Sequence, residues 1–233
     1  AKLDEILGIR KYGDHSRDDA VTHPQGALVA VETNSGAVRA MVGGRDYSET
    51  EFNRAVQNNR LPGSGFKPFV YYTVFEKLDL SPASIVVDKK VNIPVVGAPD
   101  WRPKNFGGTY AGPMILKKAL TKSVNSVAAQ LVARIGPQSV IEVSRRCGIR
   151  SPLSPVYSVA LGTSGVSPLE MASAFATFAT GGIRHNPFWI RRVEDALGRI
   201  LEERIVSGKR SLDASVAYQI VDMMQGVLND GTG

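Results

Sequence analysis

The sequence predicts a mixed α/β domain whose sheet is largely antiparallel. Three observations carry this. Residues 27–42 (A-L-V-A-V-E-T-N-S-G-A-V-R-A-M-V) alternate in pattern on either side of a turn cluster. Residues 190–205 (I-R-R-V-E-D-A-L-G-R-I-L-E-E-R-I) read as a second such pair. Between and after them run helical patterns bounded by Ser, Asp, Pro and Gly signals.

Residues 1–24 are polar and close with Pro24, so they read as a connector with a short helix at Lys2–Ile9. In the first hairpin Ala27, Val29 and Val31 alternate with other residues, Asn34-Ser35-Gly36 supplies the turn, and Val38, Ala40 and Val42 resume the alternation. A long apolar helix follows Ser64. Residues 81–113 are rich in Pro and Gly and read as a long surface excursion with short extended pieces, a length more common in functional loops. Leu116 to Ile135 is helical in pattern, interrupted near Ser123–Asn125. A helix over Gln138–Cys147 ends at Gly148. Pro168 opens the regular run P-L-E-M-A-S-A-F-A-T-F-A-T-G-G, which places Met171, Phe175 and Phe178 in the core and stops at Gly181-Gly182. The second hairpin turns at Leu197-Gly198, and Asp213 caps a last helix through Val227.

Composition sets bounds. A chain of 233 residues, 43% hydrophobic and 21% charged, can bury one substantial core. It holds no apolar run long enough for a membrane span and no signal-peptide pattern. It opens on Ala1 and not Met, which points to a piece of something longer. Cys147 is the single cysteine, so no internal disulfide is possible and a buried, inert thiol is expected. A net charge of +6 suits an anionic neighbour. The basic residues are scattered, with no stripe of interleaved aromatics, which argues against nucleic acid. His15, His23 and His185 lack metal-ligand spacing, and HExxH, CxxC, EF-hand, GxxxxGK[ST] and G-x-S-x-G patterns are absent. No metal and no cofactor is expected. An activated serine here would have to look to lysine.

One candidate stands in L-P-G-S-G-F-K-P-F-V-Y-Y. Ser64 and Lys67 are three apart at a helix start, a spacing that brings them onto one face. Ser64 would feel the positive end of the helix dipole, and Gly63 lets a substrate approach the backbone. For Lys67 to serve as base near neutrality, its pKa must fall roughly three below a reference of about 10.4, which requires burial. The alternative reading is a helix cap at Ser64 and a surface lysine. S-x-x-K fixes only two letters, so alone it leaves both open. A second motif, Ser123-Val124-Asn125, sits where the helical pattern breaks, and it too could be only a cap for the next helix.

Taken together, the segments resemble a known family. F-N-R-A-V-Q-N-N-R-L-P-G-S-G-F-K-P is similar to the active-serine segment of class A, bifunctional penicillin-binding proteins. G-A-L-V-A-V-E-T-N-S-G-A-V-R-A-M-V-G-G resembles the preceding strand pair, and D-W-R-P-K-N, A-L-T-K-S-V-N-S-V-A and A-L-G-T-S-G-V-S-P-L-E-M-A-S-A-F-A-T-F-A-T-G-G follow in the family's order. S-x-x-K with S-D-N and K-T-G marks penicillin-binding proteins and β-lactamases, and here Val124, a common variation, takes the central place of the second motif. The resemblance implies a penicillin-recognising serine transpeptidase fold over residues 25–233, with residues 1–24 as a connector to a region that precedes it. It implies a D,D-transpeptidase that cross-links peptidoglycan stem peptides through an acyl-enzyme on Ser64 and is inhibited by β-lactam antibiotics. In that reading Lys67 is the base, Ser123 relays the proton, Asn125 holds the substrate amide, and Trp101 and Asn105 border the donor groove or fold the excursion on itself. The implied location is the extracytoplasmic face of a bacterial membrane, reached through an N-terminal anchor outside this chain, with the cell-wall synthesis machinery as partner.

The family's third motif, K-T-G, is not in the sequence; Lys11-Tyr12-Gly13 has similar letters at the wrong end. The resemblance places that strand beyond Gly233, and the 233 residues alone are expected to be impaired as a catalyst. Two other readings stand beside transpeptidase. One is a D,D-carboxypeptidase or serine β-lactamase, for which Glu49 and Asn53 have E-x-x-x-N spacing in the wrong order. The other is a penicilloyl-sensing module without turnover.

Overall fold

The computed structural model describes residues 25–232, apart from Glu49 and Asn58. The connector, the expected Lys2–Ile9 helix, Lys11-Tyr12-Gly13, His15 and His23 lie outside the described residues, as does Glu49. Strands β1 (Leu28–Val31) and β2 (Val38–Val42) form the expected antiparallel hairpin, with Leu28 opposite Val42. Gly36 turns it at a φ of +80°, its N–H donating to the Glu32 carbonyl.

A 3-10 turn, Gly63–Phe66, leads directly into helix α1 (Lys67–Lys77). Every residue of α1 from Lys67 to Phe75 is buried, so this helix has no solvent face and forms the spine of the core. It packs against three later helices, and the Phe69 ring meets aromatic rings of a fourth, 5.4 Å from Phe178 and 6.0 Å from Phe175.

The excursion is more ordered than its Pro and Gly content predicts. β3 (Ile85–Asp88) pairs antiparallel with β6 (Gly112–Ile115), and between them β4 (Ile93–Val95) and β5 (Ala98–Trp101) form a small hairpin turned at Gly97. Helix α2 (Leu116–Thr121) follows, then a break, then α3 (Asn125–Ile135) and α4 (Pro137–Arg146). Cys147, at the end of α4, is fully buried, and burial pushes its thiol up to about 12.

Helix α5 (Pro168–Ala179) opens on a capping box in which Ser167 and Glu170 satisfy each other's backbone N–H groups. Of its three expected core residues Phe178 is fully buried. Met171 and Phe175 are only partly so, and Phe175 borders two open cavities. β7 (Ile183–His185), β8 (Arg192–Glu194), β9 (Ile200–Glu203) and β10 (Gly208–Arg210) come next. β8 and β9 are the expected second hairpin; β7 and β10 close its base as a further pair. Asp213 caps helix α6 (Ala214–Asp230), its carboxylate accepting the N–H groups of Ser215 and Val216, and the helix runs three residues past the expected end.

All the strand pairs are antiparallel, but among the described residues they form five separate two-stranded ladders and not one continuous sheet. The strands are three to five residues long, and β8 to β10 are exposed throughout, so little apolar surface draws the ladders together. One parallel bridge, Ala37 to Phe188, ties the first hairpin to the segment after β7. Among the described residues no helix is long and apolar enough to cross a membrane.

Candidate active site

The site begins with a turn. Gly63 adopts a φ of +56°, which swings the chain so that Ser64 sits in the 3-10 turn ahead of α1, with Pro68 in the first helical turn. Ser64 caps neither element, since no side-chain capping hydrogen bond is made at either start. Lys67 is no surface residue: its side chain is 0% exposed. Both halves of the cap-and-surface reading therefore fail.

The break between α2 and α3 supplies the partners. Ser123 has a φ of +53° and, among the described residues, is the one non-glycine in the left-handed region. That conformation stops α2, starts α3 two residues later, and turns both the carbonyl and the hydroxyl of Ser123 toward Lys67. Lys67 Nζ donates to Ser123 O at 2.6 Å, Ser123 Oγ at 2.9 Å and Asn125 Oδ1 at 2.7 Å. Ser123 Oγ in turn donates to Ser64 Oγ at 2.9 Å. Among the described residues no direct hydrogen bond joins Ser64 to Lys67. The serine meets its lysine through a second hydroxyl, which can both donate and accept.

Burial lowers the Lys67 ammonium to a pKa of about 8. None of its three partners is a carboxylate, so no anion holds the proton on. About one lysine in ten is then neutral at pH 7, against about one in 2,500 at the reference value.

Asn125, the first residue of α3, has both ends of its amide engaged. Its oxygen accepts from Lys67 and its Nδ2 donates to the Lys104 carbonyl at 2.9 Å. Asn105 is likewise committed to protein groups: Nδ2 donates to Asp88 and to the Thr109 carbonyl, and Oδ1 accepts the Ser126 N–H. Trp101 stands on β5 opposite Ile93, partly buried against the core. A cavity of about 530 Å³ opens beside Ser64, Lys67 and Ser123 and is walled by Leu120, Phe175, Met224 and Val227.

Two contributions were not visible as such in the sequence. Gly162 backs directly onto the nucleophile turn: the Gly63 N–H donates to its carbonyl, and a Cβ at Gly162 would lie 2.3 Å from Gly63 O. An antiparallel bridge between Arg60 and Val166 seats the same segment. The other is Asp88, which gathers the loop around Asn105. A-L-G-T-S-G was quoted above only for its resemblance, and nothing local marks Asp88.

Ser64, Lys67, Ser123 and Asn125 thus form one hydrogen-bonded cluster, and comparison with known proteins supplies the family of the fold that holds it. Residues 26–233 match the family described as penicillin binding protein transpeptidase domain. Penicillin-binding protein 1A of Aquifex aeolicus is 34% identical over 95% of this chain, and that of Neisseria meningitidis is 39% identical over 96%. The chain spans 30% and 29% of those two proteins. Among solved structures, penicillin-binding protein 1A from Haemophilus influenzae superposes with a TM-score of 0.83 at 29% identity, over 90% of this chain and 36% of that one. The PonA1 protein from Mycobacterium tuberculosis in complex with penicillin V gives 0.74 at 27% identity, over 86% and 56%. With a serine, a buried lysine and an S-x-N turn joined by hydrogen bonds in a matching fold, the chain belongs to the penicillin-binding protein transpeptidase domain family.

Proposed function

We propose that the whole protein is a peptidoglycan D,D-transpeptidase that works through an acyl-enzyme on Ser64. The observation that carries the reading is the continuous path Ser64 Oγ, Ser123 Oγ, Lys67 Nζ, with the amine buried and drawn down to about 8. Ser64 Oγ attacks the carbonyl between the two terminal D-alanines of a stem peptide. Its proton passes through Ser123 to neutral Lys67, a general-base contribution of roughly 10²- to 10⁴-fold. The same path returns the proton to the departing D-alanine amine as the carbon–nitrogen bond breaks. An amine of a neighbouring stem then attacks the ester, forms the cross-link and frees Ser64. The Ser64 N–H is one oxyanion donor, an interaction worth about 3 kcal/mol. A β-lactam ring opened by Ser64 would leave the same ester, and a relative bound to penicillin V supports that sensitivity.

The protein works at the extracytoplasmic face of a bacterial membrane with the cell-wall synthesis machinery. Among the described residues no Asp or Glu lines the cavity beside Ser64, which favours an amine acceptor over water activated by a carboxylate. The test is fluorescent penicillin with the full-length protein, followed by stem-peptide cross-linking. Durable labelling lost in Ser64→Ala, with cross-linked product, supports the assignment. Rapid release of label indicates a β-lactamase, durable label without cross-links indicates a sensor, and labelling that survives Ser64→Ala removes all of these readings.

A further inference from the structure

Asp88 is 4% exposed at the end of β3, yet none of its hydrogen-bond partners is a cation. Oδ1 accepts from Ser126 Oγ at 2.5 Å and Asn105 Nδ2 at 2.7 Å, and Oδ2 accepts the Ala111 N–H at 2.8 Å. Burial alone would raise its pKa, but these three donors outweigh that and lower it. A buried charge is costly unless its bonds accomplish something. Here they grip both feet of the loop 105–111, whose turn passes through Gly107 and Gly108 at positive φ, and fasten it to the first turn of α3. Gln130 on α3 holds the neighbouring Val87 carbonyl, so β3 itself is fixed against the same helix.

The next link reaches the site. Asn105 follows Lys104, whose carbonyl accepts from Asn125 Nδ2. That acceptor and the Lys67 ammonium select the same orientation of the Asn125 amide. With Nδ2 bound to Lys104, the oxygen is held in place on Lys67; without it, the oxygen loses the tie that fixes its position. We propose that Asp88 is a positioning residue of the acyl-transfer site, acting through Asn105 and the Lys104 carbonyl to hold the Asn125 oxygen on Lys67. This rests on the function proposed above. It assigns to Asp88 the bonds it makes and not its charge.

The test uses the full-length protein and the rate of acylation by fluorescent penicillin across pH, normalised to the folded fraction by circular dichroism. Lys67 faces Ser64, Ser123 and Asn125, and it is the one charged group among the described residues lining the cavity, so the pH midpoint reports on it. Asp88→Ala should slow acylation on the order of 10-fold or more. Loss of an acceptor also destabilises the ammonium, so the midpoint should move down by about half a pH unit or more. Asp88→Asn keeps an oxygen for Asn105 and Ser126, the branch that leads to Lys104, and loses only the Ala111 acceptor, so it should recover much of the rate and the midpoint. If Asp88→Ala does not fold, Asn105→Ala severs the same link and should show the same slowing and the same downward midpoint. A reactive parent with variants that match it in rate and midpoint overturns this proposal alone. So does Asp88→Asn behaving like Asp88→Ala, which would assign the effect to charge or to the Ala111 bond and not to the route through Asn105. An unreactive parent overturns both this role and the acyl-transfer reading.

Discussion

Replacing Gly162 by alanine tests how the nucleophile is held. At Gly162 the φ is +65°, and an added Cβ would meet Gly63 O at 2.3 Å and Gly63 N at 2.6 Å. Alanine in the left-handed region costs about 1–2 kcal/mol. Relieving the clash adds about 1–3 kcal/mol, as for other overpacked sites. Real Cβ contacts are no shorter than 3.0 Å, so the Gly63 backbone must retreat by at least about 0.7 Å. Ser64 is the next residue, and a misplacement near 1 Å can cost on the order of 10²-fold in rate. Gly198→Ala is the control: its φ is +77°, nothing lies within 4 Å, and only the backbone cost applies. Both variants are melted and titrated with fluorescent penicillin in the full-length protein. Gly162→Ala should acylate about 10²-fold more slowly and melt several degrees below Gly198→Ala, at about 2–4 °C per kcal/mol. Equal melting and equal acylation in the two variants would refute the buttress.

Four further outcomes are expected. Acylation of the parent should rise with pH and level off above about 8, because Lys67 accepts a proton only when neutral; a flat profile from pH 6 to 9 would remove it as base. The same depression means that the unfolded chain binds more protons than the folded one between about 8 and the reference lysine value, so this group adds stability as pH rises through that interval, read from chemical denaturation. Asp213→Ala removes the α6 cap and should destabilise by about 1 kcal/mol while leaving the acylation rate of folded protein unchanged. Cys147 should resist iodoacetamide in native protein and react only on unfolding, which mass spectrometry would follow.

Much of the site was legible because its chemistry is carried by short, ordered motifs. Ser64, Lys67, Ser123 and Asn125 each stand in a stretch where the local pattern changes, and helix starts and breaks are what periodicity reveals best. The link between the motifs was not legible. That Ser123 interposes its hydroxyl between Ser64 and Lys67 depends on a left-handed backbone at a non-glycine, which no propensity predicts. Nor does periodicity join Ile85–Asp88 to Gly112–Ile115, since β6 carries a Pro and begins with Gly, and the exposed Ile85 and Val87 obscure a buried Asp88. The pair β7 and β10, three residues each, is too short for alternation to register. For Asn105 the resemblance leaves two roles, bordering the groove or folding the excursion on itself, and its hydrogen bonds to Asp88, Thr109 and Ser126 serve the second.

The carbonyl of Ser123 has one property its neighbours lack. Selection exchanges side chains and leaves the main chain in place. A Ser123→Gly protein would accept the +53° backbone without strain and still present that oxygen 2.6 Å from the amine. Such a protein would give up the Ser123–Ser64 hydrogen bond and keep its lysine moored, so trimming the hydroxyl separates the two duties that Ser123 combines.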